Sequence, residues 1–554
     1  TFFTGQVGFR APYAEAPERF KVDVFLSDQG WASGSGTGER QPAMWLHQDA
    51  FGDAPTLAHE FAHCLQFSSL GLRDSPLVGW FWECHAEWMT FQKYPEGAGS
   101  SHQLVDAPHL YYGSTRNRYG NWQFFEFIKD RYGYSAINSI WETAPEPGDA
   151  AQSSADPLLV LAASQGWNQS TLNDHFGQFA LHNVTWDYQR GAELRAAYGD
   201  YGDLSGTKRN RVTRLDAVAG KAKTYRVPDY WAPQRYGYNL VRLQPKGSGT
   251  AGNVRVTFRG LVQERCQRGP FEGQFENEPK SLPQPHSDWR WGLVAVDSAG
   301  QARYSALQSG PKAELEFNRA PGDQALWLVV VATPSVHQSI AWDQVYYSLY
   351  RYPWEVRLEG AVPSGSAAAI GSGALRIPGA PHPNGGGFVA ATASVAPSAY
   401  VAPGAFVLDR ASVGKGARIE DLAQVSDRAM VRGQARLCGR AEVGGRAVVE
   451  GQAVIQDDAL VLGGTVTGEA QVGALTILRG DQTRVGGRVR LGAVMNTLDD
   501  LVADGELMLL GDIELHRCPP RGVFYGIVEA HMVADPRFGA ERRAPAAEVT
   551  QPWP

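Results

Sequence analysis

A chain of 554 residues exceeds what one hydrophobic core usually serves, so about three domains are expected. The formal net charge of -7, with no long basic run, argues against nucleic acid or an anionic membrane surface as the main partner. No apolar run nears the ~20 residues of a membrane span, and the chain begins at Thr1 without Met or a signal-peptide pattern, as expected of a processed product whose export signal lies elsewhere.

Phe20 to Leu26 alternates like a strand, and Met44 to His47 lies just ahead of the first clear helix. Asp53 and Pro55 suit that helix's first turn, and Leu57, Phe61 and Leu65 recur every four positions as its expected core stripe. Within it stands His59-Glu60-Phe61-Ala62-His63. Residues four apart share a helix face, so His59 and His63 can offer two imidazole nitrogens to one metal. Zinc acidifies a bound water, and a neighbouring carboxylate can take its proton, which makes Glu60 the candidate general base. A second helix is predicted from Ser75-Pro76 to about Tyr94, with Glu83 and Glu87 on one face. His85 points about 200° away from Glu83 and is the weaker ligand candidate.

These residues resemble the gluzincin zinc peptidases, the thermolysin-like family, whose pattern is HExxH plus a Glu on a following helix and an acid four residues beyond it. The resemblance implies Zn2+ held by His59, His63 and Glu83, with Glu87 orienting an imidazole. It also implies an oxyanion donor from beyond the metal helices. Tyr119, ahead of an expected helix from Trp122 to Arg131, resembles the catalytic Tyr of the aminopeptidase branch; Tyr112, His109 and Arg116 are its rivals, and aromatic packing is the alternative.

Further helices are expected at Ser135 to Glu142, Pro157 to Ser164 and Ser170 to Leu181, so residues 1–205 read as a gluzincin-like domain with a small sheet before the metal helix and a helical lobe after it. Five cysteines do not make a disulfide scaffold. Cys64 and Cys84 follow ligand candidates directly and would either bridge, implying an oxidising setting, or stay buried thiols.

Residues 206–363 carry short apolar or alternating runs, such as Asn253 to Phe258, Trp291 to Val296 and Ala325 to Val331, a β-sandwich pattern. Tyr230, Trp231, Tyr236 and Tyr238 would stack on polysaccharide if exposed, or pack in the core if not. A linker is expected at 364–388. From 389 to 500 an aliphatic residue recurs every sixth position from Val395 to Val461, with an alanine two before each and looser echoes to Val494. That period resembles the left-handed parallel β-helix of hexapeptide-repeat proteins, in which three hexads build one triangular coil, with oligomerisation through the coil as one option. Hexapeptide acyltransferases commonly use a histidine base. None lies between Val389 and Asp500, leaving His382, His516 and His531 as substitutes, so a structural or targeting role is favoured. Residues 501–554 are expected to form a C-terminal cap and tail.

The expected fold class is therefore multidomain α+β, with zincin-like, β-sandwich and left-handed β-helix parts. The arrangement of the first 360 residues or so also resembles the secreted Svx/AvrXca-like proteins of plant-associated bacteria, through the His59–Glu87 and Arg116–Trp122 blocks and the strand from Tyr352 to Leu358. That resemblance implies an extracellular virulence hydrolase, a metalloprotease acting on protein or glycoprotein substrates such as hydroxyproline-rich plant cell-wall glycoproteins. The competing class is a surface-binding or adhesive protein whose zinc site is structural or idle.

Overall fold

The computed structural model describes residues 2–12, 21–28, 30–37, 41–73, 75–100, 107–113, 118–198, 212–245, 252–262, 286–340, 351–365, 377–495, 501–512, 522–525 and 543–544. The chain is mixed α+β and divides into two compact units, residues 1–266 with 283–364, and residues 267–282 with 365–554. No described helix is long and apolar enough to cross a membrane.

The first unit opens with a three-stranded sheet of β1 (Asp23–Leu26), β2 (Ala32–Thr37) and β3 (Gln41–Leu46), in the order β1-β3-β2. β1 lies parallel and β2 antiparallel to the central β3, which leaves one edge of β2 unpaired among the described residues. Helix α1 follows at Ala54–Ser69. Asp53 caps it, with Oδ2 accepting from the Thr56 hydroxyl at 2.7 Å, and Pro55 sits in the first turn, where its missing N–H leaves no helical bond unmade. The expected stripe is displaced: Leu65 is fully buried, but Leu57 and Phe61 are only half-buried, and Ala62, Cys64 and Gln66 go deeper. Helix α2 runs Gly79–Lys93, starting later than expected. Ser75 instead shapes a turn, its hydroxyl accepting from Leu77 N–H and donating to Ala155 O. Helices Trp122–Tyr132, Tyr134–Glu142, Pro157–Ser164 and Gln169–His182 match expectation within a residue or so, and Gly191–Tyr198 is an addition.

Two further sheets complete the unit. Tyr238–Pro245, Trp289–Asp297, Asp323–Ala332 and shorter strands form one; Gly252–Gly260, Lys312–Arg319, Trp354–Glu359 and shorter strands form the other. They face each other through Phe258 and Trp291, stacked at 5.2 Å between ring centroids. The first sheet's other side packs on the helices, where Phe176 stacks on Tyr236 at 4.3 Å and Arg290 Nε donates to Asp174 at 2.6 Å. A boundary at 205/206 therefore does not separate two cores: one apolar cluster includes Trp88, Phe124 and Phe179 of the helices together with Tyr238, Val294 and Val329 of the strands. Burial on both faces explains why Ala325 to Ala332 is a continuous apolar run. It also corrects the sugar-stacking option, because Trp231, Tyr236 and Tyr238 are buried and only Tyr230 is partly exposed.

The second unit is a three-faced parallel coil. Val395 pairs with Val413, Val401 with Ile419 and Val407 with Val425, each eighteen residues on. The repeated alanines and aliphatics from Ala399 to Val461 are almost fully buried inside it. Corners fall two residues after each aliphatic, where Asp409, Asp421, Asp427 and Asp457 adopt positive φ near 50–60° and glycine takes equivalent positions such as Gly433 and Gly451. The aspartates add a ladder: Asp409 Oδ2 accepts from Asp427 N–H at 3.1 Å and Asp427 Oδ2 from Gly445 N–H at 2.7 Å. Beyond Val461 the interior set shifts to Val466, Val472, Leu478, Val485 and Leu491. A short step followed by a long one restores register, so Val449 pairs with Val466 seventeen residues on and Val466 with Val485 nineteen on.

Two expected boundaries move. Gly379–Pro381 of the expected linker pairs antiparallel with Phe388–Ala390, and Val502–Ala503 and Leu507–Asp512 of the expected tail continue the coil in parallel. Arg543–Ala544 then lies antiparallel on Gly522–Tyr525, so an antiparallel strand covers one sheet edge at each end.

Candidate metal centre

α1 and α2 pack so that His59, His63 and Glu83 converge. Their ligand-capable atoms lie within 4.8 Å of one another. His59 Nε2 is 3.2 Å and His63 Nε2 3.3 Å from Glu83 Oε2, and the two imidazole nitrogens are 3.1 Å apart. On the far side of the His59 ring, Glu87 Oε1 stands 3.6 Å from Nδ1. Glu60 points to the same cleft, buried beside the Gly34 backbone, whose amide it accepts. This donor set, two Nε2 atoms and one carboxylate on two rigid helices, suits a divalent metal of the zinc type.

Three carboxylates around two imidazoles make the centre electronegative. Burial pulls the His59 pKa down, but the Glu83 hydrogen bond and the Glu87, Glu83 and Glu60 charges outweigh it, for a net rise to about 9. Burial also pushes Glu83 up, yet its hydrogen bonds from both histidines hold it well below the usual carboxylate range. Glu87 is pushed up to about 7 by burial against the opposing His59 charge, and Glu60 is likewise raised by burial. A cation at this point would replace the proton that His59 otherwise gathers.

The cleft encloses about 480 Å³ and is lined by Ala32 to Ser35 of β2, the site residues, Phe67, Trp82, Arg73 and Tyr119. Tyr119 is therefore at the site, its ring centroid 6.2 Å from that of His59. Burial, with Glu83 nearby, raises its phenol to about 12, so it remains a hydrogen-bond donor at neutral pH. Its rivals are elsewhere: Tyr112 is buried with its hydroxyl on Asn121 O, His109 is buried against Trp231, and Arg116 lies outside the described residues. Cys64 and Cys84 are free, Cys64 donating to Ala43 O at 3.3 Å. His85 is fully buried behind the metal cluster, among Phe9, Phe81, Trp88 and Trp141, with burial lowering its pKa to about 3.

Two contributors escaped the sequence reading. Gln66 Oε1 accepts from His63 Nδ1 at 2.7 Å, while its amide nitrogen lies 2.9 Å from Trp82 O and 3.0 Å from His85 Nδ1. The two acceptors fix the amide's orientation, so His63 carries its proton on Nδ1 and presents a lone pair at Nε2. A glutamine three residues after a ligand, in an otherwise buried stretch, was the available signal. Gly34 is the second: a Cβ there would lie 2.1 Å from Glu60 O, so only glycine lets β2 lie on α1 at the candidate base.

The chain belongs to a family of unknown function, DUF6055. The family's sequence model matches residues 1–365, which covers the metal centre, the facing sheets and the end of the first compact unit, and leaves the coil outside. No curated protein and no solved structure matches the chain. Within this DUF6055 chain, His59, His63 and Glu83 form the one His/Cys/Asp/Glu cluster with metal-ligating geometry among the described residues.

Proposed function

We propose that this protein is a secreted zinc-dependent endopeptidase of the gluzincin type, with a zincin-like catalytic region, a β-sandwich and a left-handed parallel β-helix. The observation that carries the reading is the convergence of His59, His63 and Glu83 beside Glu60 in a cleft lined by Ala32 to Ser35 of β2. Zinc bound there would supply Lewis acidity and an acidified water.

The chain's own groups do the rest. Glu60 takes the water's proton on its carboxylate and returns it to the leaving amine. Its partial desolvation, the cause of its raised pKa, makes the carboxylate a stronger proton acceptor than one in water. The Tyr119 hydroxyl donates to the carbonyl oxygen as negative charge develops. Glu87 and Gln66 hold the His59 and His63 rings. An extended peptide lies along β2, at the edge left without a partner strand among the described residues, and passes over Glu60. The Svx/AvrXca resemblance favours extracellular proteins or cell-wall glycoproteins as substrates, and the coil serves a structural or targeting role.

The reading is tested by metal analysis of the purified protein together with cleavage of a mixed protein substrate, before and after chelation and after zinc is restored. One zinc per chain with chelator-reversible cleavage supports it. Stoichiometric zinc without cleavage of any protein, cell-wall glycoproteins included, makes the centre structural.

A further inference from the structure

Several arginines on the outer surface of the coil are paired with acids. Arg418 and Arg436 share Glu420, Arg432 meets Glu450 at 2.6 Å and Arg440 meets Asp458 at 2.8 Å. Arg410, Arg428 and Arg446 are not. All three are exposed, and their guanidinium groups have no ion-pair or hydrogen-bond partner among the described residues.

These three share one corner of the coil. Val407, Val425 and Val443 pair in register, and three residues beyond each stands one of the arginines. Asp409, Asp427 and Gly445 turn the chain just before them with φ of 54°, 58° and 60°, and the backbone carries the register through the corner, Arg410 N–H donating to Asp427 O and Arg428 N–H to Gly445 O. The arginines therefore leave equivalent points on successive coils, about 4.8 Å apart. Like charges so close repel, an arrangement that folding does not reward and that an external anion relieves. The ladder is also bounded. Thr392 takes the equivalent place in the preceding coil, and in the following one the chain loses a residue between Val461 and Val466, so no fourth arginine continues it.

Asp409 and Asp427 alternate with the arginines. Each gives one carboxylate oxygen to an amide of the next coil, Asp409 Oδ2 to Asp427 N–H at 3.1 Å and Asp427 Oδ2 to Gly445 N–H at 2.7 Å, and neither other oxygen accepts from a described residue. The corner is thus rich in donors and acceptors but carries little net charge. Nucleic acid, held mainly by neutralising phosphates, calls for a strongly basic field instead. A ligand that brings carboxylates and hydroxyl groups together fits both halves of the pattern.

We propose that the corner carrying Arg410, Arg428 and Arg446 binds a linear acidic polysaccharide, a polyuronate with a carboxylate on each sugar. An extended pyranose chain advances by nearly the spacing of the coils per sugar, so successive carboxylates meet successive guanidinium forks in paired hydrogen bonds, while sugar hydroxyls donate to Asp409 and Asp427. Each contact is weak on an exposed surface, and the three act together through their fixed spacing. The coil then holds the protein to such a polymer whether or not the metal centre cleaves peptides.

The test uses the full chain and fluorescently labelled oligogalacturonates of one, three and six sugars, titrated by anisotropy at about 150 mM salt to screen unspecific attraction. Affinity should rise at least about tenfold from one sugar to three and level off toward six, because the three coils span only about 10 Å. Methyl esterification of the trimer, which removes the charges and keeps the hydroxyls, should weaken binding about tenfold or more. Arg410→Gln, Arg428→Gln and Arg446→Gln combined should lose trimer binding to the same extent. Arg418→Gln, Arg432→Gln and Arg436→Gln combined, which remove as many charges from paired positions, should keep it, with thermal unfolding showing that both variants fold. Equal binding of the ester, equal binding by the first variant or equal loss in both variants overturns the proposal. So does binding of single-stranded DNA or polyacrylate, which lacks hydroxyls, as tightly as the trimer by the unsubstituted chain.

Discussion

Replacing Gln66 with leucine should weaken metal binding without touching a ligand. Leucine keeps most of the volume but removes the acceptor 2.7 Å from His63 Nδ1 and the donor shared by Trp82 O and His85 Nδ1. Losing the group that orients a metal-bound imidazole typically lowers affinity about 10- to 100-fold, or ~1.4–2.8 kcal/mol. Leaving buried polar groups unpaired should separately destabilise the metal-free fold by about 1–3 kcal/mol. Competition with a chromophoric chelator reads the first effect, and urea unfolding of the metal-free protein reads the second. Gln66→Glu separates them: it keeps an acceptor for His63 and loses the donors, so affinity should stay near the unsubstituted value while stability falls. Unchanged zinc affinity in Gln66→Leu would refute the claim that this amide fixes the His63 tautomer.

Gly34→Ala should cost about 1–3 kcal/mol in urea unfolding and reduce cleavage, because the new methyl meets the Glu60 carbonyl and β2 must retreat; an unaltered midpoint would show that the strand has room. Tyr119→Phe should lower kcat by at least about tenfold with zinc stoichiometry unchanged, and equal kcat would remove Tyr119 from the reaction. Asp156 carries a pH dependence. Burial pushes its carboxyl up, but the charge and hydrogen bond of His337, 2.9 Å away, outweigh that and hold it below its ordinary value. Its contribution to stability is therefore complete above the unfolded-state value of about 3.9 and is lost as pH falls through the lower folded-state value. Urea midpoints measured from pH 7 down to 2 should show this acid loss, and Asp156→Asn should flatten it; an identical acid limb in the variant would assign the loss to other groups.

The metal helices were legible because ligand spacing and helical period agree: His59 and His63 one turn apart, Glu83 and Glu87 one turn apart. The coil was legible because the same inward position recurs every six residues, until Val466 breaks the count with a step that only the register of the finished sheets explains. What periodicity does not carry is which surface each face meets. The Ser33-Gly34-Ser35-Gly36 strand has little β propensity and reads as loop, since its glycines serve a close approach to α1 that is fixed in three dimensions. The aromatic cluster at Trp231, Tyr236 and Tyr238 is expected to pack inward unless exposed, and the structure buries it: Tyr236 and Tyr238 against the helix Gln169–His182, and Trp231 against His109. A sequence also shows that Leu70 and Leu72 are apolar, but not that the chain turns left-handed through them.

The most direct test compares the intact chain with Glu60→Gln for zinc content and for cleavage of a mixed protein substrate. The peptidase account predicts one zinc per chain in both and cleavage at least about 100-fold slower in the variant, since the carboxylate's proton transfer is lost while the ligands remain. Equal cleavage by both would contradict Glu60 as the base, and loss of zinc from the variant would mean that Glu60 belongs to the ligand set.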